Sequence, residues 1–371
     1  MWIWQHQQWP NFTWKEEAIV ELLRKTRLKQ GVFLGKIGAQ GEDTQSKMLD
    51  TLLANIVHSS AIEGEKLNAF SVRSSLARRL GVSESNPFPT TEQTDGLAEI
   101  MIDAVSNYNV ELTSERILYW HEKLFPEGAS LLSNIEGGKW RGEDVMQVVS
   151  GRIDRPTVHF EAPPENRLHS EVEQFVRWFN HSRTQLTLDP LIRAALVHLR
   201  FVTIHPLDDG NGRITRLLTD LALAQAEQQS VRFYAMSVAI LNDRKGYYQI
   251  LEQTQKGDMD VTEWIVWFLS TLNHTFDDVL RDIDRFSFKT HYWNRFDQTR
   301  LTTEQKKVIN RMLDGDFAAG INASQYQKVA KISKPTATRH LSRLVELGCL
   351  VKTAAGGRST RYVLSRKDDE V

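Results

Sequence analysis

A mainly α protein is predicted, on three observations. Apolar residues recur at helical spacing through most of the chain, as in Met48, Leu49, Leu52, Leu53, Ile56 and Val57. Only one pair of β-branched or aromatic runs flanks a turn before residue 345. From 301 onward the pattern reads helix, helix, helix and then two short strands. At 371 residues there is room for two or three domains with ample core. Charge is balanced, 46 Lys+Arg against 47 Asp+Glu, so no global field favours nucleic acid or a membrane surface. The single cysteine, Cys349, excludes an intrachain disulfide and reads as a small buried hydrophobe. No apolar run of about 18 residues and no leader pattern occurs, which reads as a soluble, cytoplasmic protein with no membrane partner.

The elements follow in order. Residues 1–85 form a helical N-terminal domain opening with Trp2, Trp4, Trp9 and Trp14, whose area must be buried, so this end should dock on a body. Helices are expected over 16–29, 47–60 and 67–80, the last closing on Arg78-Arg79 in favourable relation to its dipole. The polar stretch 83–93 carries Pro87 and Pro89 and reads as a loop. Helices resume over 94–108 and 113–125. Strands over 146–149 and 157–160 make a hairpin. Helices over 167–181, 189–204, 213–226 and 242–255 complete a second domain, 86–285. His198, inside the apolar run of 189–204, reads as a satisfied core histidine.

Past 282–286 a third unit begins, assigned to 290–371. Helices over 303–313, 323–331 and 334–346, the last capped by Ser333 with Pro335 just inside, precede strands over 349–353 and 361–364. That order is a winged helix-turn-helix. Residues 301–367 hold 13 Lys/Arg and 4 Asp/Glu, a surplus of nine positive charges. Thr336, Thr338, Arg339 and Arg343, with Arg358 and Arg361 on the wing, could face DNA. A protein-docking module is the equal alternative.

The chemistry concentrates where two helices meet, in His205-Pro-Leu-Asp-Asp-Gly-Asn-Gly-Arg-Ile-Thr-Arg216. His205 can take or give a proton near neutral pH. Asp209 is a hard carboxylate of the kind Mg²⁺ accepts beside phosphate oxygens. Gly210, Asn211 and Gly212 let backbone amides approach an anion at a helix N-terminus. Arg213 and Arg216 lie at i,i+3 and can fork onto phosphate. Together these residues describe a nucleotide phosphate site, and no Gly-x₄-Gly-Lys-(Ser/Thr) string exists to suggest a P-loop instead.

The same string resembles the signature of the Fic (filamentation induced by cAMP) family, His-x-Phe-x-(Asp/Glu)-Gly-Asn-Gly-Arg-x-x-Arg. Leu207 stands where the family usually has Phe, a swap a core tolerates. The resemblance implies a Fic (fido) helical core that transfers AMP from ATP to a Ser, Thr or Tyr hydroxyl of a target protein. His205 would be the base and Asp209 the Mg²⁺ ligand. Gly210 to Arg216, with Ile214 and Thr215 between the arginines, would bind ATP. It further implies that Tyr247, Tyr248 and Gln255 lie against adenine and ribose. The hairpin would be a flap whose Val158, His159, Phe160 and Glu161 meet nucleotide and target. Ser59-Ser-Ala-Ile-Glu63-Gly64 resembles the family's inhibitory motif, which sets Glu63 against Arg216, with Ser59 and Gly64 as its fixed companions. Removal of AMP from a modified protein, and ATP sensing by a transcription regulator, remain open alternatives, as does a homodimer.

Overall fold

The computed structural model describes every residue except 39–43, 127–134, 153–154, 230–233, 354–359 and 366–371. Contacts divide the chain into two compact units, Met1–Val279 and Leu280–Val371.

In the first unit, helices α1 (Glu16–Gly38), α2 (Thr44–Ile62), α3 (Ala69–Leu80), α4 (Glu92–Ser106) and α5 (Ser114–Leu124) precede the hairpin β1 (Gln147–Arg152) and β2 (Arg155–Glu161). Helices α6 (Glu165–Ser182), α7 (Pro190–Ile204), α8 (Asn211–Glu227), α9 (Met236–Asn242) and α10 (Arg244–Gln255) follow. The starts obey local rules. Asp189 accepts from Leu191 N, with Pro190 in the first turn of α7, and Asn68 and Thr91 cap α3 and α4. Every residue of 191–204 is buried, so α7 is apolar all round because it is enclosed all round. It packs on α8, which is buried over most of its length.

The tryptophan-rich opening docks as expected. Trp4 and Trp9 are buried, and their indole N–H groups donate to Glu161 O at 2.7 Å and to the Glu171 carboxylate at 2.8 Å. Thr13 adds backbone bonds to Met259 and Val261, both 2.8 Å.

Two features escape the sequence pattern. Helix α9 is too short to show a period. Helix α11 (Thr262–Asn294) runs unbroken through the stretch read as the start of a new unit, so the expected boundary between 285 and 290 lies inside a helix. Charged residues Asp277, Asp278, Arg281, Asp282, Asp284 and Arg285 interrupt its apolar stripe and mimic a linker.

The second unit contains the C-terminal part of α11, then α12 (Thr303–Leu313), α13 (Ala323–Ala330) and α14 (Lys334–Glu346). Strands β3 (Leu350–Lys352) and β4 (Tyr362–Leu364) pair antiparallel. Val308, Ile309, Tyr326, Leu341, Leu344 and Cys349 form its core, and Tyr292 OH donates to Cys349 O at 2.5 Å. Among the described residues no helix is long and apolar enough to cross a membrane.

Candidate active site

The joint between α7 and α8 is shaped by its own backbone. His205 ends α7 in the left-handed region, φ 49°, and its N–H closes the helix on Phe201 O at 3.0 Å. Its Nδ1 lies 3.0 Å from Val202 O, and a ring nitrogen facing a carbonyl must carry the proton, so Nε2 keeps the lone pair. Burial lowers the His205 pKa, more than Asp209 and Glu63 restore it. Both facts favour a neutral imidazole able to accept a proton.

Leu207 is fully buried where the signature usually has Phe, and its N–H and C=O both bond the Asn211 side chain, at 3.0 and 2.6 Å. That staple fixes the loop. Gly210 sits at φ +81°, and a Cβ there would come within 2.6 Å of Leu124 and 2.9 Å of Phe125. The first bond of α8 runs from Ile214 N to Gly210 O at 2.9 Å, so the amides of Asn211, Gly212 and Arg213 precede the helix ladder, as an anion site requires. Ile214 and Thr215 are wholly buried, and the Thr215 hydroxyl donates to Asn211 O at 2.7 Å, so their side chains serve the core.

The end of α2 reaches this anion site. Gly64, at φ +87°, turns the chain back, with Glu65 N bonding Ser60 O and Gly64 N bonding Ala61 O, both near 3.0 Å. Glu63 Oε1 then sits 2.7 Å from the Arg216 guanidinium, and a Cβ at Gly212 would stand 2.1 Å from that same oxygen. The carboxylate thus lies against the first turn of α8. Arg216 also donates to Ser59 through Nε at 2.8 Å and to Ser59 O at 2.9 Å. Burial opposes charge on Glu63, yet the pairing with Arg216 outweighs it and holds the carboxyl below its usual range. The Tyr248 hydroxyl stands 3.3 Å from the other Glu63 oxygen.

Sequence reasoning missed the second acid here. Glu65 Oε2 pairs with Arg213 at 2.7 Å, so each signature arginine faces its own carboxylate. The pattern that flags Glu63 stops at Gly64, and only the reversed chain brings Glu65 round. Arg141 was also missed. Its Nε donates to His205 O at 2.9 Å, its backbone N to Pro206 O at 3.0 Å, and its guanidinium also to Pro163 O. One buried cation therefore ties the histidine's backbone to the exit of the hairpin.

A cleft of 590 Å³ joins these parts, lined among others by Glu63, Phe160, His205, Asp209, Gly212 and Tyr248. Tyr247 lines it too but is fully buried, its hydroxyl 2.9 Å from His198 Nε2. Burial pushes His198 down to about 3 and raises Tyr247. Gln255 is buried and donates its amide to Thr203 at 3.2 Å. On the hairpin, Val158 pairs with Val149, and Phe160 is buried between Trp2, 5.4 Å away edge-on, and the His205 ring at 6.5 Å. The Glu161 side chain accepts from Gln147 at 2.8 Å. His159 reaches α10, its Nδ1 2.8 Å from Glu252.

Among the described residues no group of three or more acidic, His or Cys side chains could hold a metal. Two loop carboxylates, Asp208 and Asp209, line the cleft, and one Asp209 oxygen accepts Gly210 N at 2.5 Å, which leaves the signature carboxylate one oxygen for a cation. A single carboxylate beside bound phosphates is how proteins commonly hold Mg²⁺, so the residues fit that ion only together with a phosphate ligand.

Comparison with known proteins places this geometry. Residues 111–223 match the Fic/DOC family, and residues 2–82 match a domain of unknown function (DUF4172). Protein adenylyltransferase Fic of Drosophila erecta is 31% identical over 206 residues, 55% of this chain and 37% of that protein. The Drosophila melanogaster protein of the same name is 31% identical over 55% of this chain and 38% of its own length. The chain thus spans under two fifths of these relatives. The crystal structure of a Fic family protein from Desulfovibrio desulfuricans superposes with a TM-score of 0.56 at 19% identity, covering 96% of this chain and 98% of that one. A Fic domain containing signaling protein from Bacteroides thetaiotaomicron gives 0.52 at 18% identity, over 72% and 97%. These likenesses carry the fold, and with the family match they identify a Fic/DOC-family domain in this chain.

Proposed function

We propose that the cleft transfers AMP from ATP to a hydroxyl of a target protein, and that the end of α2 restrains it. The observation that carries this reading is that one cleft is lined by His205, whose Nε2 keeps its lone pair, and by Gly210, Asn211 and Gly212, where the α8 hydrogen-bond ladder has not yet begun. The phosphates rest on the Gly210–Arg213 amides. Asp209 holds Mg²⁺, which when bound neutralises phosphate charge. Tyr248 flanks the nucleoside, and β2 presents the acceptor, each hairpin strand having one edge without a strand partner among the described residues. His205 takes the acceptor's proton as its oxygen bonds the α-phosphorus and pyrophosphate leaves. Positioning and charge neutralisation supply most of the rate. The curated relatives' name supports the reaction class.

Restraint comes from Glu63 and Glu65. The first sits in the anion site and on Arg216, and the second takes Arg213. ATP bound beside Glu63 has its α-phosphorus turned from in-line attack. Incubating the full chain with α-labelled ATP, Mg²⁺ and a cell lysate tests the function: label should appear on protein and rise when Glu63 becomes Gly. No label with either protein would refute the reading. Release of AMP from a premodified protein, blocked by Glu63→Gly, would favour the reverse reaction, in which Glu63 positions water.

The second unit is read as a winged helix that binds DNA through α14, where Thr338, Arg339 and Arg343 are exposed. Arg343 also pairs with Glu346 at 3.1 Å. Arg361 donates to Gly320 O at 2.9 Å, which leaves it less available, and Arg358 lies outside the described residues. Duplex binding that weakens steeply with salt is expected. No shift at low salt would leave a protein-docking role.

A further inference from the structure

The helix that carries His205 ends in buried backbone, where its carbonyls must find donors. The His205 N–H closes α7 on Phe201 O, so no later carbonyl has a helical partner. Val202 O faces His205 Nδ1 instead. Arg141 supplies the next two donors, Nε to His205 O at 2.9 Å and its backbone N to Pro206 O at 3.0 Å. A cation there also meets the negative end of the α7 dipole. His205 itself sits at φ 49°, which a residue other than glycine keeps only where its surroundings impose it. On its far side the guanidinium donates to Pro163 O, two residues beyond β2. That strand needs the grip, because its ladder is irregular. Val148 pairs with Phe160 but Val149 with Val158, so His159 is the extra residue of a β-bulge, which bends the strand. Arg141 is anchored from behind: Gly138 N donates to His121 Nδ1 at 3.2 Å, and a Cβ on Gly137 would stand 2.5 Å from Phe125 O. It is 4% exposed and does not line the cleft.

We infer that Arg141 is a positioning residue for the transfer, one guanidinium that fixes both the backbone of the base and the exit of the strand presenting the acceptor. It thereby sets the distance between His205 Nε2 and the hydroxyl held on β2. The inference rests on the proposed AMP transfer and adds to it a residue outside the cleft. Only arginine suits the place, because two donors of one rigid plane serve carbonyls from two elements, whereas lysine offers the charge on a single nitrogen. The charge acts on the imidazole as well. Arg141 disfavours the imidazolium, while Glu63 from α2 and Asp209 from the loop favour it. Asp208 from the loop and Glu165 from α6 oppose the effect of burial on Arg141 itself. Position and charge therefore separate by substitution: Arg141→Lys loses the first, and Arg141→Met loses both.

Both variants are made in the full-length Glu63→Gly protein and given α-labelled ATP, Mg²⁺ and a cell lysate. Labelling of lysate proteins at saturating ATP should fall about 10²-fold in each, the cost of roughly 1 Å of misplacement, while calorimetric ATP affinity holds. Guanidinium ion added to Arg141→Ala should restore part of the rate. His205 is titrated in parallel by NMR with isotope-labelled histidine, its signal assigned by loss in His205→Ala. Losing a positive charge favours the imidazolium, so the His205 midpoint should move to higher pH in Arg141→Met and stay in place in Arg141→Lys. Undiminished labelling in both variants would overturn the inference. So would a rate that falls in step with ATP affinity, without rescue by guanidinium and with the His205 midpoint unmoved, since Arg141 would then serve the fold alone. If the Glu63→Gly parent labels no protein, the proposed function fails. The His205 midpoint in Arg141→Met is then read by itself, and an unmoved midpoint would overturn Arg141's hold on the histidine too.

Discussion

Two walls of the cleft are built in opposite ways. The loop and helix start at 205–216 take their shape mostly from local contacts: Asn211 staples Leu207, Gly210 takes the left-handed turn, and His205 is fixed by Val202 three residues away, with Arg141 bracing the His205 and Pro206 carbonyls from outside. The hairpin wall is held by distant segments. Trp4 grips the Glu161 carbonyl from 157 positions away, Glu252 grips His159 from 93, and Arg141 joins the hairpin exit to His205. A wall made of local contacts forms wherever its sequence folds. A wall made of remote ones depends on the whole unit, so small changes far from the chemistry should move it. The comparison also separates two kinds of mutation: those on the first wall should change the chemical step, and those behind the second should change how the acceptor is held.

The largest effect is expected on the locally shaped wall. His205→Ala should lower AMP transfer ~10² to 10⁴-fold while ATP still binds, because the base acts on the incoming hydroxyl. Calorimetric ATP affinity falling in step with the rate would mark His205 as structural. The pH profile gives a second check. Burial depresses the His205 pKa, so the neutral, competent imidazole is populated above that lowered value and lost as pH falls through it. In Glu63→Gly the raising influence of Glu63 is gone, so the acid limb should lie below the ordinary imidazole value of 6.5. A limb above it would contradict the burial argument.

Next come the two carboxylates, which oppose the same wall from the end of α2. Glu63 pairs with an arginine that is 3% exposed, and losing such a partly buried pair costs on the order of 3 kcal/mol. About one molecule in a hundred is then productive, so Glu63→Gly should raise kcat by about two orders of magnitude. Equal labelling rates for the two proteins at saturating ATP would sink the restraint. The arginine that Glu65 holds is 9% exposed against 3% for Arg216, so its pair is the more screened and Glu65→Gln should do less, about fivefold. It should also act on a different quantity. Arg213 must leave Glu65 before it can meet phosphate, so the gain belongs in a lower KM for ATP with kcat unchanged. A change in kcat alone would show that Glu65 assists Glu63.

This contrast also explains what the sequence made legible. The 205–216 site could be read because base, metal ligand, anion loop and arginines fall within twelve residues, and local backbone rules connect them. Glu63 was singled out because Ser59 to Gly64 resembles a family's inhibitory motif, not from any period in the helix before it. Glu65 lies just outside that pattern, and its direction depends on the left-handed turn at Gly64. Arg141 and the His159–Glu252 pair had no periodic signal, since a contact across 64 or 93 positions leaves no local trace. The hairpin itself was legible, but its bulge was not, because a one-residue register shift needs the pairing partner to be seen. Helix α11 was hidden by its charges, which are compatible with a helix surface but broke the apolar pattern.

The smallest predicted effect tests the remote wall directly. Trp4→Phe keeps the ring's apolar contact but removes the N–H that donates to Glu161 O at 2.7 Å. A hydrogen bond of this kind is worth about 1 kcal/mol net, so the terminal residue of β2 should be held about fivefold less well. Trp4 touches neither His205 nor the anion loop among the contacts described, whereas Glu161 is adjacent to Phe160, the residue packed beside His205. The loss should therefore appear as about a fivefold higher KM for a peptide acceptor, with KM for ATP and kcat near their starting values. The Glu63→Gly background makes the rates measurable. If the remote wall shaped the chemical step instead, kcat would fall and acceptor KM would hold. If Trp4 only stabilised the N-terminal segment, the melting temperature would drop with no change in either constant. Only a selective change in acceptor KM supports the division between a wall that does chemistry and a wall that holds the acceptor.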